Sequence, residues 1–211
     1  MSIVVLALLA PASAGVCADA LYAQIPRAET FGDADVVTGN TTWQGTALAG
    51  GRVSMRSAWP LEAWEKVLRQ PELQQDWLPD QFGVTRTARL DPLHMFEQME
   101  LSFLLGAIKA RRQMVIEFEW RRVGAAFDNC WALQDPAPFS TQIAAWVTED
   151  PWQRVGLGGW RVVPAPGGGS NVSYELWTGA DVLPAIQAWA VTRTLPDLIR
   201  AFEVRVGATA K

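Results

Sequence analysis

Between Gln113 and Val123 the chain reads QMVIEFEWRRV, and its side chains alternate. Met114, Ile116, Phe118 and Trp120 line one side, while Glu117, Glu119 and Arg121 line the other. A period of two sustained over this length is a β-strand with one buried face. Shorter stretches of β character surround it: Val36-Val37, Thr41–Trp43, Arg52–Ser57, Gly83–Leu90, Phe96–Phe103, Phe127–Leu133, Thr141–Val147, Trp152–Val163 and Asn171–Thr178. Gly39-Asn40, Asp91-Pro92, Asp135–Pro138 and Pro164–Gly169 read as the turns and breaks between them. The only long helical period comes at the end. From Asp181 onward, Ile186, Trp189, Ala190, Arg193, Leu198, Ile199, Phe202 and Val206 form a stripe. Pro196 within it removes one backbone donor and predicts a kink or break near Thr192. The chain is therefore α+β, with many strands and one long helix to cover them.

A second helical signal interrupts the strands. In WPLEAWEKVLRQPELQQDWLP, from Trp59 to Pro79, Pro60 suits a first helical turn, and Leu61, Trp64, Val67 and Leu68 share one face. Pro71 opens another short turn with Leu73, Trp77 and Leu78 apolar. Three of the chain's eleven tryptophans lie here, and they pack either on their own protein or on something it binds.

Composition narrows the function. A chain of 211 residues, 49% hydrophobic and 19% charged, suits one domain with a sizeable core and excludes disorder over most of its length. A net charge of −4 without a long Lys/Arg run argues against nucleic acid. Arg111-Arg112 and Arg121-Arg122 read as solvated strand ends. Two cysteines and one histidine make neither a disulfide framework nor a zinc pattern, and the reading calls for no metal and no cofactor. Any triad would have to pass through His94, which sits at a turn and reads as solvated. Gly167-Gly168-Gly169 lacks a following Lys-Ser/Thr and helix, so it is no phosphate loop.

The first residues, MSIVVLALLAPASAGVCADA, are apolar from Ile3 to Ala10 and then offer small-residue cleavage sites. Residues 1–18 read as an export signal and 19–35 as an N-terminal extension, which places the protein in the periplasm or outside the cell. Loss of Cys17 with such a leader leaves Cys130 as a lone thiol, best kept buried.

Strand, two short helices, a run of antiparallel strands and one long amphipathic C-terminal helix is the helix-grip order. From about Val36 to Val206 the chain resembles the START-like superfamily of lipid-transfer domains, polyketide cyclases and related bacterial proteins. The residues that carry the resemblance are Val53-Ser54-Met55 leading to Trp59–Leu68, the Pro71–Pro79 segment before Val84, Gly159–Pro164, Val172–Trp177 and Leu183–Ala190. Where many eukaryotic lipid-transfer members show Pro-Trp-Pro before an Arg-Asp pair, this chain has Leu104–Arg112. The resemblance implies a domain over 36–207. In it a curved antiparallel sheet wraps around the C-terminal helix, with the two short helices after the first strand. It also implies an apolar cavity between sheet and helix, of about 300–1,000 Å³.

The side chains expected on the cavity wall are Met99, Phe118, Trp120, Trp131, Trp160 and Tyr174 from the sheet, with Trp189, Leu198 and Phe202 from the helix. Arg161 and Arg193 are candidates to orient a polar group of the ligand. Glu97 falls on the face of Met99, Leu101 and Phe103, and Glu97, Glu100, Glu117 and Glu119 on neighbouring strands could do acid–base chemistry if buried together, but they read first as a solvated outer face near the arginines. Trp146 and Trp177 read as outward residues that suit transient membrane or protein contact. The main expectation is a non-enzymatic binder or carrier of a hydrophobic small molecule, a lipid or isoprenoid-like compound. Two alternatives stay open: a cyclase/aromatase-like enzyme using the same cavity, and a protein-interaction module whose pocket has collapsed. No catalytic residue is assigned, and oligomeric state is not legible.

Overall fold

The structure is a computed structural model, and it describes residues 34–43, 46–103, 108–179 and 184–210. The expected leader and nearly all of the expected extension lie outside these residues. Eight described strands form one antiparallel sheet. They are β1 (Asp35–Trp43), β2 (Thr46–Ser57), β3 (Val84–Arg89), β4 (His94–Phe103), β5 (Ile108–Val123), β6 (Ala126–Gln134), β7 (Gly156–Pro164) and β8 (Ser170–Thr178). Helix α1 (Leu61–Leu68) and two 3₁₀ turns (Pro71–Asp76, Asp80–Phe82) follow β2, a short α2 (Ser140–Ile143) follows β6, and α3 (Pro184–Thr209) ends the fold. Across the sheet the order is β1-β2-β8-β7-β6-β5-β4-β3. The chain leaves β2, crosses to the far edge at β3 and returns strand by strand until β8 pairs with β2. This is the helix-grip arrangement expected from the order of elements.

Local sequence explains the parts that hold α3 in place. Val191, Leu195, Ile199, Phe202 and Val206 recur every three or four residues, and all are buried. They pack with Val53 and Met55 of β2, Trp160 and Val162 of β7, Val172 and Tyr174 of β8 and the buried face of α1. Gly51 permits the close approach: a Cβ there would stand 2.8 Å from Val191 Cγ1 and 2.6 Å from the Val37 carbonyl oxygen. In α1, Leu61, Trp64, Val67 and Leu68 are buried as the stripe predicts, and Trp64 Nε1–H donates to Ser57 Oγ at 3.1 Å.

Three local expectations are corrected. Gly39-Asn40 is not a turn but the middle of β1. Gly39 faces Gly50, and the Trp177 ring lies 3.6 Å from where a Gly39 Cβ would be. Thr141–Val147 is not a strand. A 3₁₀ turn (Ala137–Phe139) runs into α2, and Phe139, Ile143 and Trp146, spaced by four and three, cover Phe96 and Val115 on the outer face of β4 and β5. Pro196 does not break α3, which runs unbroken through it. One missing donor is outweighed by the packing of the stripe on both sides. The expected bare tryptophans are not bare either: Trp177 is buried with Leu48 and Leu157, and Trp146 stacks on Phe96.

Candidate functional site

The register decides which side chains share the inner, concave face. Directly opposed residues of antiparallel strands point the same way. Starting from Val53 and Tyr174, which touch α3, the pairs run Val53–Tyr174, Tyr174–Trp160, Trp160–Asn129 and Asn129–Trp120 across the sheet. Two residues along, Trp131 opposes Phe118 and Gly158. On the far strands Ile116 opposes Met95, Met114 opposes Glu97, and Glu97 opposes Thr87. Met99, Phe118, Trp120, Trp131, Trp160 and Tyr174 therefore all lie on the inner face.

That face has two parts. Toward β7, β8 and β2 it is filled by the protein itself. Trp160 meets Tyr174 and Phe202 at centroid distances of 4.4 Å each and Trp64 at 5.9 Å, and Trp77 meets Phe202 edge-on at 4.8 Å. Leu198 is half-buried beside this cluster. Toward β4, β5 and β6 a second apolar cluster holds Met95, Met114, Ile116 and Phe118, with Met99, Trp120, Trp131 and Leu133 packed against it. Among the described residues, α3 packs chiefly on β2, β1 and α1 rather than on these strands. Phe118 and Trp120 stack at 5.6 Å, and Trp120 Nε1–H donates to the Leu68 carbonyl at 3.3 Å, tying α1 to β5. Gly158 makes room for Trp131, since a Cβ there would fall 2.6 Å from its ring.

Polar groups are buried in this second part. Glu97 is only 7% exposed, and no described hydrogen bond or ion pair reaches its carboxyl. Burial alone pushes its pKa up from 4.5 to about 7. Burial also drives the Tyr174 hydroxyl far upward. The Glu97 carboxyl adds to that rise, so the two groups feel each other across the curved face, while the Trp131 indole opposes it. Asn129 is 3% exposed, and its Nδ2 has no hydrogen-bond partner. An acid near neutrality, an amide and a phenol set among aromatic rings can hold the polar end of an otherwise apolar molecule, or exchange a proton with it.

No family model matches the chain, and no curated protein matches it in sequence. Solved structures do match in shape. A STAR-related lipid transfer protein from Xanthomonas axonopodis superposes with a TM-score of 0.56 at 14% identity, covering 80% of this chain and 98% of that one. Human STARD10 gives 0.51 at 16%, covering 80% and 72%, and human StAR-related lipid transfer protein 5 gives 0.50 at 11%, covering 88% and 94%. The chain has the START-like fold.

Within this START-like domain the two arginine candidates do not join the inner face. Arg161 lies on the outer face opposite Asp128 and donates to its carboxylate at 3.1 and 3.2 Å, beside Arg121. The parity of β7 explains it, since Arg161 follows the inward Trp160 directly. Arg193 is exposed on α3. The side chain of Trp189 lies outside the described residues. Cys130, expected as a lone buried thiol, is disulfide-bonded, so its sulfur is neither a nucleophile nor a metal ligand. His94 Nδ1 bonds Asp91 at 2.8 Å in the turn. Among the described residues no three His, Cys, Asp or Glu side chains converge as a metal cage requires.

Glu97 is the residue that the reading of the sequence misplaced. Its type groups it with Glu100, Glu117 and Glu119 on a solvated face, while its parity is that of Met99, and the structure follows parity. Glu100 pairs with Arg111 at 2.7 Å, and Glu117 accepts from Gln134 Nε2 at 2.5 Å. Only Glu97 of these four turns inward. A small depression lies between α1, the Pro71–Asp76 turn and the end of α3, lined by Lys66, Val67, Gln70, Leu73, Trp77, Arg205 and Thr209.

Proposed function

We propose that the domain binds an apolar small molecule, a lipid or isoprenoid-like compound, against the inner face of β4, β5 and β6, and carries it as a stoichiometric cargo. One observation carries this reading. Glu97 and Asn129 lie buried on an apolar wall; Asn129 Nδ2 has no hydrogen-bond partner, and no described hydrogen bond or ion pair reaches the Glu97 carboxyl. Each such group costs about 1–3 kcal/mol, and more when charged, which a self-filled core gains nothing by keeping. A ligand whose polar end meets them removes that cost. Burying about 300 Å² of its apolar surface adds about 7 kcal/mol. The likeness to structures described as lipid transfer proteins supports the same reading. The turn carrying Trp77 and the end of α3 form the way in, and transient contact with a membrane loads the site.

The test is native mass spectrometry of the protein from its own host, followed by organic extraction. A stoichiometric bound lipid is the expected result. An empty protein that also ignores neutral apolar dyes refutes the proposal and leaves the interaction module with a collapsed pocket.

A second reading, acid–base chemistry on the bound molecule as in a cyclase, is favoured by Glu97 titrating near 7 beside Tyr174. It requires that Glu97→Gln abolish turnover of the extracted compound while binding persists. Export is a further part of the proposal, supported by the apolar run Ile3–Ala10; with Cys130 disulfide-bonded and only one other cysteine in the sequence, it calls for cleavage at Ala12-Ser13-Ala14, which keeps Cys17, rather than after Ala18. N-terminal sequencing of the mature protein checks it, and a mature chain that keeps Met1 overturns it.

A further inference from the structure

Resting on the binding reading above, the inner face also says what kind of head group the cargo carries. We infer that the ligand presents a hydrogen-bond-donating, non-anionic head, a hydroxyl or an amine, to Glu97, and that the same site rejects carboxylate and phosphate amphiphiles.

The argument rests on which charges face that wall. Glu97 enters from β4, more than nine-tenths buried. From β3 its direct neighbour is Thr87, and from β5 it is Met114, neither of them charged. Across the curved sheet the facing titratable group is Tyr174 of β8, a phenol kept neutral. Cations with the same inward parity lie further along and are engaged elsewhere. Arg89 of β3 is ion-paired with Glu72 and sits over the Trp120 ring at 5.8 Å. Arg122 of β5 is ion-paired with Glu65 and lies over Phe127. Arg112 of β5 opposes Met99 and donates to the Arg111 carbonyl at 2.8 Å. An anionic head placed beside Glu97 meets a carboxyl and no described arginine aimed at it, in a setting where charge is poorly screened. A hydroxyl donates to the carboxyl and accepts from Asn129 Nδ2 or Tyr174. An amine, once protonated, supplies the counter-ion that Glu97 lacks and has aromatic faces nearby in Phe118, Trp120 and Trp131.

The experiment is competition at pH 8 against protein-bound Nile red, with three probes of one chain length used below their micellar range: 1-dodecanol, dodecylamine and dodecanoate. The expected result is displacement by the alcohol or the amine at concentrations at least tenfold lower than by dodecanoate. In Glu97→Leu that ratio falls to within about threefold while Nile red still binds. In Glu97→Gln dodecanoate gains on both the alcohol and the amine. Dodecanoate binding as tightly as both other probes, or a ratio unchanged in both variants, overturns the inference while leaving ligand binding intact. Failure of Nile red and all three probes to bind the folded wild-type protein instead refutes the binding reading itself, and the head-group inference falls with it.

Discussion

Glu97→Gln changes one oxygen for an amide and removes the titration of a single buried group. The folded protein holds this carboxyl with a pKa of about 7 against an ordinary 4.5, through burial alone. Between those values the unfolded chain has released the proton and the folded protein still carries it. The folded state then binds more protons, and stability falls as pH rises through the window. Below pH 4.5 both states are protonated and the penalty is absent. Above pH 7 both are ionised and the whole penalty is present. At about 1.4 kcal/mol per tenfold change in proton affinity, wild type loses on the order of 3 kcal/mol between pH 4.5 and pH 8 that Glu97→Gln does not lose. Urea unfolding followed by tryptophan fluorescence, repeated at half-unit steps from pH 4.5 to 8, measures the difference between the two proteins. The other titrating groups are common to both and cancel. A wild-type-minus-variant curve that stays flat within about 0.5 kcal/mol would falsify the claim that Glu97 is buried without a partner. The head-group argument would then lose its footing.

Three other substitutions probe the frame and the corrected site. Arg52→Ala strands the buried Glu175 carboxylate, which Arg52 Nε reaches at 2.6 Å, and is expected to cost about 3–5 kcal/mol in denaturant unfolding; a loss under 1 kcal/mol contradicts the buried pair. Gly51→Ala forces a methyl against Val191 and the Val37 carbonyl and is expected to cost about 1–3 kcal/mol, read as a lowered Tm. Arg161→Ala, on the outer face with Asp128, is expected to leave Nile red affinity unchanged within twofold; a larger loss returns Arg161 to the site.

The architecture was legible because periodicity reports it directly. One 3.6-residue stripe among many two-residue ones left a single helix to cover a sheet. α1 buries the residues its stripe named, while α3 buries Ile199, Phe202 and Val206 of its stripe together with Val191 and Leu195, which lie outside it, and leaves Arg193 exposed. The failures have a common cause: they fall where few residues carry the signal. Thr141–Val147 alternates weakly by eye, but its apolar residues are spaced by three and four, and four helical residues are too few to declare themselves. Gly39-Asn40 looks like a turn because turn chemistry and an accommodating strand glycine use the same residue. Pro196 shows that a local rule counts one lost hydrogen bond, whereas the helix is held by five buried side chains of its own packed on β2, β7, β8 and α1.

The site was legible in its apolar half and hidden in its polar half. A Trp or Phe at the right parity faces inward whatever lies opposite, so once the resemblance names a concave face, alternation places Phe118, Trp120, Trp131, Trp160 and Tyr174 on it. Glutamate carries the opposite prior, and that prior was allowed to outweigh parity at Glu97. In a strand already anchored by Met95 and Met99, a polar residue between them cannot reach the outer face without slipping the register by one, which would turn Met95 and Met99 outward as well. An acidic residue at such a position is therefore buried by its neighbours, and its charge becomes a statement about what the face meets. The tryptophans then divide by the same logic. Trp64, Trp77 and Trp160 pack on one another's neighbours around Phe202 and close one half of the concave face. Trp120 and Trp131 line the other half, where no described hydrogen bond or ion pair reaches the Glu97 carboxyl or Asn129 Nδ2. Unanswered polar atoms also occur away from this half, at Ser54 Oγ and Ser170 Oγ, so it is the meeting of an unanswered carboxyl and amide with an apolar aromatic wall that the proposed function assigns to a ligand.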